Sequence, residues 1–346
     1  MSAERPVVLI TGGAGFLGHA LIEELLRTDD PVLNPSEVRS FDLRAPTPRD
    51  GLTAIVGDIR DPAAVRAAVE GCDLVLHAAS MVDWGLADDA TLRAVNVDGT
   101  RHVIAACQAA GVRALVYTSS LDAIDDGKPV VDGDESMPYP PTFPNVYSET
   151  KAVAEQLALA AQSDTLRAAV IRPCGLYGER DPYHLGHVLK MAAAMPLVRI
   201  GDGRARAQHV YVGNTAHGHL IAARSLLTDG VATGRVYFVT DHPAENFFDF
   251  LEPVVTGVGY RVHPWSRALP HRLAWTLGAC AEAIAWAISP AVTWRPGLSR
   301  YAVDWVCKDL TFTSARIRDE LGYVPRYSHE EATRRTIAWF RANPVA

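Results

Sequence analysis

The sequence Val7-Val8-Leu9-Ile10-Thr11-Gly12-Gly13-Ala14-Gly15-Phe16-Leu17-Gly18 joins an apolar run to a glycine-rich turn near the start of the 346-residue chain. Four consecutive apolar residues are typical of a parallel strand that is buried on both faces. Apolar residues at helical spacing follow the turn. In this setting Gly12, Gly15 and Gly18 predict a tight turn, a backbone approach to a pyrophosphate, and close helix packing. We therefore expect an α/β protein with a Rossmann-type doubly wound parallel sheet.

The composition argues against several classes of function. The formal net charge is -7 and the sequence pI is near 5.9, which does not suit a nucleic-acid-binding surface. Residues 1–6 are too few for a signal peptide, so we expect a cytoplasmic protein. The cysteines are odd in number and widely spaced, which predicts reduced core thiols and no metal site: Cys72, Cys107, Cys174, Cys280 and Cys307.

An acidic residue ends the second predicted strand. Asp42 lies 24 residues beyond Gly18. A carboxylate at this place can accept hydrogen bonds from both ribose hydroxyls of an adenosine and would repel a 2′-phosphate. The sequence therefore favours NAD over NADP. Arg44 weakens this preference, because it could stack on the adenine or tolerate the phosphate.

Residues after the third and fourth predicted strands are expected to contact the same nucleotide. Asp58 and Ile59 would lie at the adenine; the alternative is that Asp58 or Asp61 caps the next helix. Ala78 and Ala79 follow a buried strand, and their small side chains leave room for the dinucleotide. The strand's last residue, His77, is interpreted as a packed, hydrogen-bonded histidine.

The predicted helices and strand that follow carry polar residues that can take part in a reaction. Asn96 lies in a helical pattern, where it either holds backbone beside the site or is exposed. Ser120 ends the fifth predicted strand, on the sheet edge where parallel strands present ligands. Tyr147 and Lys151 stand four apart at the start of a helix and project from one face. An ammonium beside a tyrosine favours the phenolate, which can then act as a base.

These residues and their order resemble the extended short-chain dehydrogenase/reductase superfamily. More narrowly, the chain resembles the 3β-hydroxysteroid dehydrogenase family, and within it the decarboxylating sterol-4α-carboxylate 3-dehydrogenases. The narrower resemblance runs to Leu321-Gly322-Tyr323 near the end of the chain. The superfamily motifs are Thr11–Gly18, Gly57-Asp58, His77–Ala79, Asn96–Thr100, Thr118–Ser120, Tyr147–Lys151 and Arg172–Gly178. The narrower resemblance rests on Ala79–Gly85, Tyr147–Lys151, Arg172–Pro182 and Val212–His219.

The resemblance implies roles for individual residues. Tyr147 would be the general acid/base, Lys151 its activator, and Ser120 the hydroxyl that holds the substrate oxygen. The implied cofactor contacts are Gly12, Gly15, Phe16, Leu17, Gly18, Asp42, Asp58, Ile59, Ala78, Ala79, Asn96, Tyr147, Lys151 and Pro173. One departure is the sequence Leu121–Ile124 after the serine, which replaces the Tyr-Gly of nucleotide-sugar relatives and counts against an epimerase.

The resemblance implies NAD-dependent oxidation of a sterol or steroid 3β-hydroxyl, with loss of carbon dioxide if the substrate carries a 4-carboxylate. Arg180 is a candidate partner for that carboxylate. Two alternatives are a reductase of long-chain 2-alkyl-3-ketoacids, which Asp42 disfavours, and a regulator that binds NAD without turnover. The retained Tyr147 and Lys151 argue against the regulator.

The second half of the chain alternates between two predicted domains. Residues 1–173 and 208–240 are expected to form the NAD-binding domain, and residues 174–207 and 241–346 a mostly helical lobe that binds a hydrophobic substrate. The histidine pairs of this half, His184 with His187 and His217 with His219, are interpreted as packing or surface residues. We also expect a homodimer that pairs through the helices holding Asn96 and Tyr147.

The apolar segment 273–292 allows three interpretations. It could be a core helix of the lobe, a wall for a greasy substrate, or a helix in peripheral contact with a membrane. Leu273, Leu277 and Ile284 share one helical face, with Cys280 and Ile288. Glu282 in the middle of the segment argues against a bilayer span.

Overall fold

A computed structural model describes residues 5–82, 88–288 and 297–345 of the chain. Within these residues the strands are β1 (Val7–Thr11), β2 (Glu37–Asp42), β3 (Leu52–Val56), β4 (Leu74–His77), β5 (Ala114–Thr118), β6 (Val130–Gly133), β7 (Arg167–Pro173), β8 (Gly175–Tyr177), β9 (His209–Tyr211), β10 (Val236–Val239) and β11 (Leu310–Phe312). Motif residues 83–85 lie outside the described residues.

Helices follow most of the strands. They are α1 (Phe16–Leu26), α2 (Pro62–Val69), α3 (Asp89–Arg93), α4 (Gly99–Ala110), α5 (Val146–Ala160), α6 (His184–Ala194), α7 (Val212–Leu227), α8 (Phe247–Val258), α9 (His271–Ile288), α10 (Arg300–Val306), α11 (Ala315–Leu321) and α12 (His329–Ala342). A π-helical turn at Ala94–Asp98 leads into α4, and a 3₁₀ turn at Leu121–Ile124 follows β5.

A seven-stranded parallel sheet forms the centre of the molecule, in the order β10-β7-β5-β4-β1-β2-β3. The strand order reverses between β1 and β4, which places the ligand crevice of a doubly wound sheet at their carboxyl ends. The predicted Rossmann-type fold is therefore confirmed.

The unbroken apolar run of β1 reflects helices on both faces of the sheet. Val8 and Ile10 are fully buried in a cluster that includes Leu21 of α1. Leu9 lies in a second cluster, with Val65 of α2 and residues of α4. Because both faces are covered, neither side of the strand requires polar residues.

Two small sheets accompany the central one. Strand β8 pairs with β9, and β6 pairs with β11. The sequence predicted only a loop around β6, because its four residues lie in a proline-rich, acidic segment with no hydrophobic periodicity. The division of the chain into two domains stays a prediction.

Helix α9 packs differently from a core helix. Ala274 and Gly278 are its buried residues, and a Cβ atom at Gly278 would lie 3.0 Å from the backbone nitrogen of Arg300. The predicted apolar face, with Leu277 and Ile284, is exposed to solvent. The core-helix interpretation is therefore wrong, because α9 uses small residues for packing. No helix among the described ranges is long and apolar enough to cross a bilayer.

Candidate active site

One cavity of about 1480 Å³ opens at the carboxyl ends of the central strands. Of the predicted cofactor-contact and catalytic residues, Asn96 alone does not line this cavity. The predicted residues that line it are Gly12, Gly15, Phe16, Leu17, Gly18, Asp42, Asp58, Ile59, Ala78, Ala79, Ser120, Tyr147, Lys151 and Pro173. The fold therefore brings the candidate cofactor and catalytic residues to one site.

The glycine turn has no room for side chains. Gly12 has a φ of +73°, and a Cβ atom there would lie 2.8 Å from the Ala79 backbone. At Gly18 a Cβ atom would lie 2.0 Å from the Gly12 carbonyl oxygen. These two glycines therefore let β4 and α1 approach the turn closely, as predicted.

The first turn of α1 faces the cavity. Gly15 precedes the helix in an extended conformation, and no side chain caps it. An uncapped helix N-terminus presents backbone N–H groups and a partial positive charge, which suit a pyrophosphate. The cradle in the structure thus fits a dinucleotide.

Asp42 ends β2 beside the glycine turn and lines the cavity. One carboxylate oxygen accepts a hydrogen bond from the Ala14 backbone N–H at 3.1 Å, and the other accepts one from Arg44 at 3.3 Å. The carboxylate is therefore fixed at the end of β2, where the sequence predicted contact with a ribose.

Asp58 and Asp61 differ in their contacts, and Asp61 is the residue that caps the helix. Asp61 caps α2 by accepting hydrogen bonds from the backbone of Ala63 and Ala64. Asp58 instead binds the Arg60 guanidinium at 2.5 to 3.0 Å, and this partner lowers the pKa of the Asp58 carboxyl. Asp58 remains at the cavity wall, and its adenine contact stays a prediction.

Asn96 is a buried support for the cavity wall. Its side-chain oxygen accepts hydrogen bonds from the Met81 backbone at 2.7 Å and the Ser80 hydroxyl at 3.1 Å. Its amide donates to the Met81 carbonyl at 3.0 Å and to Thr150 of α5 at 3.1 Å. The exposed alternative is wrong, and Asn96 acts through the backbone that it holds.

His77 is a structural residue, as the sequence predicted. Its ring nitrogens contact the hydroxyls of Thr11 at 2.7 Å and Thr100 at 3.0 Å. Burial, with a smaller contribution from Lys151, lowers the pKa of His77 to about 3. The imidazole is therefore neutral at physiological pH and bridges β1 and α4.

Tyr147 and Lys151 project from the first turns of α5. Asn145 starts this helix by accepting a hydrogen bond from the Ser148 backbone at 2.8 Å. The Lys151 ammonium donates to the Thr118 carbonyl at 2.6 Å, and burial lowers the pKa of this lysine to about 7. Lys151 is thus held against the end of β5, where it lines the cavity.

The phenol of Tyr147 is buried and protonated. Burial raises its pKa, the nearby Asp122 carboxylate raises it further, and a hydrogen bond with Ser120 lowers it. A phenol in this state can donate a hydrogen bond to a substrate oxygen. Deprotonation of Tyr147 therefore requires positive charge nearby when the site is loaded.

Sequence reasoning missed Asp122. The Ser120 hydroxyl donates a hydrogen bond to an Asp122 carboxylate oxygen at 2.6 Å, while the neighbouring Ser119 hydroxyl is buried and has no partner within the described residues. The acidic residue two positions after Ser120 is visible in the sequence, but its contact with the serine depends on the 3₁₀ turn.

Apolar side chains line the cavity beyond Tyr147. They come from α6, the segment after it, α8 and α10: Val188, Met191, Leu197, Val198, Ile200, Phe247, Phe248, Trp305 and Val306. Such a wall suits a large hydrophobic ligand that carries few polar groups.

Two other residues that the sequence analysis considered, Arg180 and His219, do not line the cavity. The Arg180 guanidinium lies 5.9 Å from the centre of the Trp339 ring and does not line the cavity. His219 is buried, and its ring contacts the Thr118 hydroxyl at 2.8 Å and the Thr215 carbonyl at 2.8 Å. Within the described ranges, no group of three or more His, Cys, Asp or Glu residues could hold a metal ion.

Comparisons with known proteins agree with this geometry. The model of the 3-beta hydroxysteroid dehydrogenase/isomerase family matches residues 9–270. A 3-beta-hydroxysteroid dehydrogenase of Mycolicibacterium neoaurum is 33% identical, over 96% of this chain and 91% of its own length. The 3 beta-hydroxysteroid dehydrogenase type 7 of Homo sapiens is 34% identical, over 98% of this chain and 97% of its own.

A solved structure shares the fold across the chain. It is a short-chain dehydrogenase/reductase superfamily protein from Agrobacterium tumefaciens with bound NAD. The TM-score is 0.68 at 21% identity, and the alignment covers 97% of this chain and 98% of the other. At this identity the likeness supports the architecture alone.

Proposed function

Because the chain belongs to the 3-beta hydroxysteroid dehydrogenase/isomerase family, we propose that it oxidises the 3β-hydroxyl of a sterol or steroid to the 3-ketone with NAD. As a member of this family it is an oxidoreductase that acts on a CH–OH group. The observation that carries the proposal is the single cavity, which joins the glycine turn, the pair Ser120 and Tyr147, and an apolar wall.

The chain's own residues orient the alcohol and move its proton. NAD, when bound, supplies the acceptor for the hydride. Ser120 and Tyr147 hold the substrate oxygen, and Tyr147 takes the hydroxyl proton as the carbonyl forms. Lys151 supplies the positive charge that favours the tyrosinate, from its position on the Thr118 carbonyl.

Asp42 supports NAD as the preferred cofactor. Its carboxylate is fixed at the end of β2 by the Ala14 and Arg44 backbone N–H groups. A 2′-phosphate at this place would meet a negative charge that these two hydrogen bonds hold in position. We propose that the enzyme uses NADP poorly for this reason.

We propose a substrate without the 4-carboxylate that the resemblance suggested. A carboxylate in an apolar cavity needs a cation to offset its lost hydration. Among the described lining residues, the arginine and lysine side chains are Arg60, which pairs with Asp58, and Lys151, which donates to the Thr118 carbonyl. The candidate Arg180 lies over Trp339 instead.

Absorbance of the reduced nicotinamide tests the proposal. The purified protein is mixed with NAD or NADP and a panel: a 3β-hydroxysteroid, a 4-carboxysterol and a long-chain 2-alkyl-3-hydroxyacid. We expect NAD reduction with the steroid. Turnover with the acyl acid alone would favour the ketoacid reductase, and tight NAD binding without turnover would favour the regulator.

We further propose that α9 contacts a lipid surface beside the mouth of the cavity. Its Ala285 lines the cavity, as do Met191 and Met195, which are exposed. The exposed apolar residues of α9 are Leu273, Trp275, Leu277, Ile284, Trp286 and Ile288. A hydrophobic substrate would then enter the cavity beside α9 directly from the lipid. Residues 289–292 of the predicted contact lie outside the described residues, and the homodimer stays a prediction.

A further inference from the structure

Tyr147 needs a neighbour that removes its proton before each oxidation. It can take the hydroxyl proton of the substrate only as a phenolate, whereas burial raises its pKa and keeps it a phenol in the structure. The apolar side chains that line the cavity beyond Tyr147 cannot accept a proton. The acceptor must therefore be a polar group that the phenol reaches inside the cavity.

Lys151 is not that acceptor while it is charged. An ammonium group has three donors and no lone pair that could take a proton. Lys151 also directs one N–H to the Thr118 carbonyl at 2.6 Å. Its charge favours the phenolate of Tyr147, but the proton itself has to leave through another group.

Asp122 is a carboxylate that lies one hydroxyl group away from Tyr147. It lines the cavity from the 3₁₀ turn Leu121–Ile124. Its carboxylate accepts the Ser120 hydroxyl at 2.6 Å, and Ser120 also forms a hydrogen bond with Tyr147. Tyr147, Ser120 and Asp122 therefore form a continuous hydrogen-bonded series.

The Ser120 hydroxyl has the hydrogen-bonding capacity to pass a proton along this series. A hydroxyl has one proton to donate and two lone pairs that accept. The Ser120 proton is directed to the Asp122 carboxylate, and one lone pair accepts the Asp122 backbone N–H at 3.2 Å. The second lone pair can accept the phenol proton of Tyr147. The serine hydrogen thus already points in the direction that the transfer requires.

The charged groups around Asp122 suit a carboxyl that takes up and releases a proton. Burial raises the pKa of this carboxyl, the Ser120 hydrogen bond lowers it, and Asp125 raises it again. Lys308 and Lys151 lower it by smaller amounts, and the charge of Lys308 is largely compensated because Asp125 holds it at 3.1 Å. A carboxyl with a raised pKa is a better proton acceptor near neutral pH than an ordinary one.

Two phenols also face Asp122. One is Tyr147, and the other is Tyr301 of α10, which lines the same cavity. Burial raises the pKa of Tyr301, and Asp122 and Asp125 raise it further. Tyr301 is therefore a hydrogen-bond donor at neutral pH and does not compete with Asp122 for the proton.

We propose that Asp122 takes, through the Ser120 hydroxyl, the proton that Tyr147 must lose before each oxidation. The inference rests on the proposed function, because only the oxidation of an alcohol consumes the phenolate form of Tyr147. Asp122 acts through Ser120 and does not contact the substrate. It is therefore a positioning residue, which sets where the proton lies when the reaction begins.

The transfer conserves atoms and electrons. The O–H bond of Tyr147 breaks and leaves its electron pair on the phenolate oxygen, while a lone pair of Ser120 forms a new O–H bond. The original O–H bond of Ser120 breaks, and its proton bonds to the Asp122 carboxylate. No group is oxidised or reduced. After the product has left, Asp122 gives the proton to water in the cavity.

The transfer also turns the Ser120 hydrogen toward the substrate. In the structure this hydrogen is engaged by the Asp122 carboxylate. The hydrogen that Ser120 receives comes from the side of Tyr147, and the protonated Asp122 carboxyl then donates to the serine oxygen. Ser120 is thus free to donate to the substrate oxygen. Proton loss by Tyr147 and recognition of the substrate by Ser120 are therefore coupled.

The first experiment compares steroid-dependent NADH formation by wild type and Asp122→Asn as a function of pH. At about pH 7 we expect kcat/KM of the variant to be about 10²- to 10⁴-fold lower, the contribution typical of general acid–base groups. Toward about pH 10, near the ordinary pKa of tyrosine, hydroxide takes the phenol proton directly, so the difference should shrink at least about tenfold. Lys151 titrates in both proteins, so the ratio of their rates reports Asp122.

Two further variants separate proton transfer from folding. Asp122→Glu keeps a carboxylate, and we expect its rates to follow the pH dependence of the wild type. The matched control is Asp126→Asn, since Asp126 lies in the same loop but pairs with Lys128 and does not line the cavity. It should match the wild type at every pH. A merely structural role of Asp122 would lower the rate of Asp122→Asn by the same factor at every pH, and that result would overturn the inference.

Infrared difference spectroscopy of NAD binding gives a second readout that needs no turnover. We expect the wild type to gain the carbonyl stretch of a protonated carboxyl group when NAD binds. Neither Asp122→Asn nor Tyr147→Phe should gain it, because the first lacks the acceptor and the second lacks the proton. No such band in the wild type, or the same band in Tyr147→Phe, would overturn the inference.

The outcomes distinguish this inference from the proposed function. If the wild type reduces NAD with a steroid but its rate ratio to Asp122→Asn does not change with pH, the inference fails and the dehydrogenase stands. If no steroid reduces NAD, the proposed function itself fails, and the infrared measurement still reports whether a proton moves from Tyr147 to Asp122.

Discussion

Replacing Asn96 with alanine should lower the free energy of unfolding, because the Asn96 side chain holds buried backbone groups of the cavity wall. The side chain makes four hydrogen bonds, two of them to the N–H and C=O of Met81. A buried backbone group that loses its partner costs about 1–3 kcal/mol. Residues 80 and 81 border the cavity, so water can reach them, and we expect the lower end of the summed range, about 2–3 kcal/mol.

Urea unfolding followed by circular dichroism measures this loss. We expect a lower midpoint with an unchanged dependence on urea, because the mutation alters stability and not the exposed area. Arg101→Ala is the control, since Arg101 lies on α4 but is exposed with its partner Asp98, and should change stability by less than about 0.5 kcal/mol. A loss in Asn96→Ala as small as that of the control would refute the supporting role.

Three other changes have defined outcomes. Asp42→Ala should raise the ratio of kcat/KM for NADP to that for NAD by at least about tenfold, measured by initial rates, because the repelling carboxylate is gone. Lys151→Met should have a higher free energy of unfolding than the wild type, with the largest difference below pH 7 and none as the pH rises toward 10.5. The reason is that burial lowers the pKa of this lysine to about 7 and penalises only its charged form. A difference that does not change with pH would contradict this. Trp286→Ser should reduce sedimentation with phospholipid vesicles several-fold, whereas Val324→Ser, at an exposed apolar residue outside α9, should not.

The sequence predicted the parts of the molecule that depend on local patterns. The apolar run and glycines of Val7–Gly18 indicated both the sheet and the ligand crevice, because Gly12 and Gly18 occupy positions where a Cβ atom would collide with backbone. The strand ends carrying Ser120 and the helix carrying Tyr147 then had to meet at one edge of the sheet. The structure brings these residues into one cavity.

The sequence could not predict features that depend on which neighbour a segment packs against. Helix α9 has the periodicity of a core helix, yet its small residues Ala274 and Gly278 make the contact and leave Leu277 exposed. Local sequence pattern assigns Asp122 no contact, because only the 3₁₀ turn brings its carboxylate to the Ser120 hydroxyl. Both cases are set by tertiary contacts and not by local pattern.

The most direct test of the proposed oxidation compares wild type with Tyr147→Phe in the NADH absorbance assay, with a 3β-hydroxysteroid as substrate. Phenylalanine keeps the ring packed in the buried site and removes only the hydroxyl that takes the proton. We predict steroid-dependent NAD reduction by the wild type and a rate about 10²- to 10⁴-fold lower in the variant, with NAD binding retained. Undiminished turnover in Tyr147→Phe would contradict the mechanism.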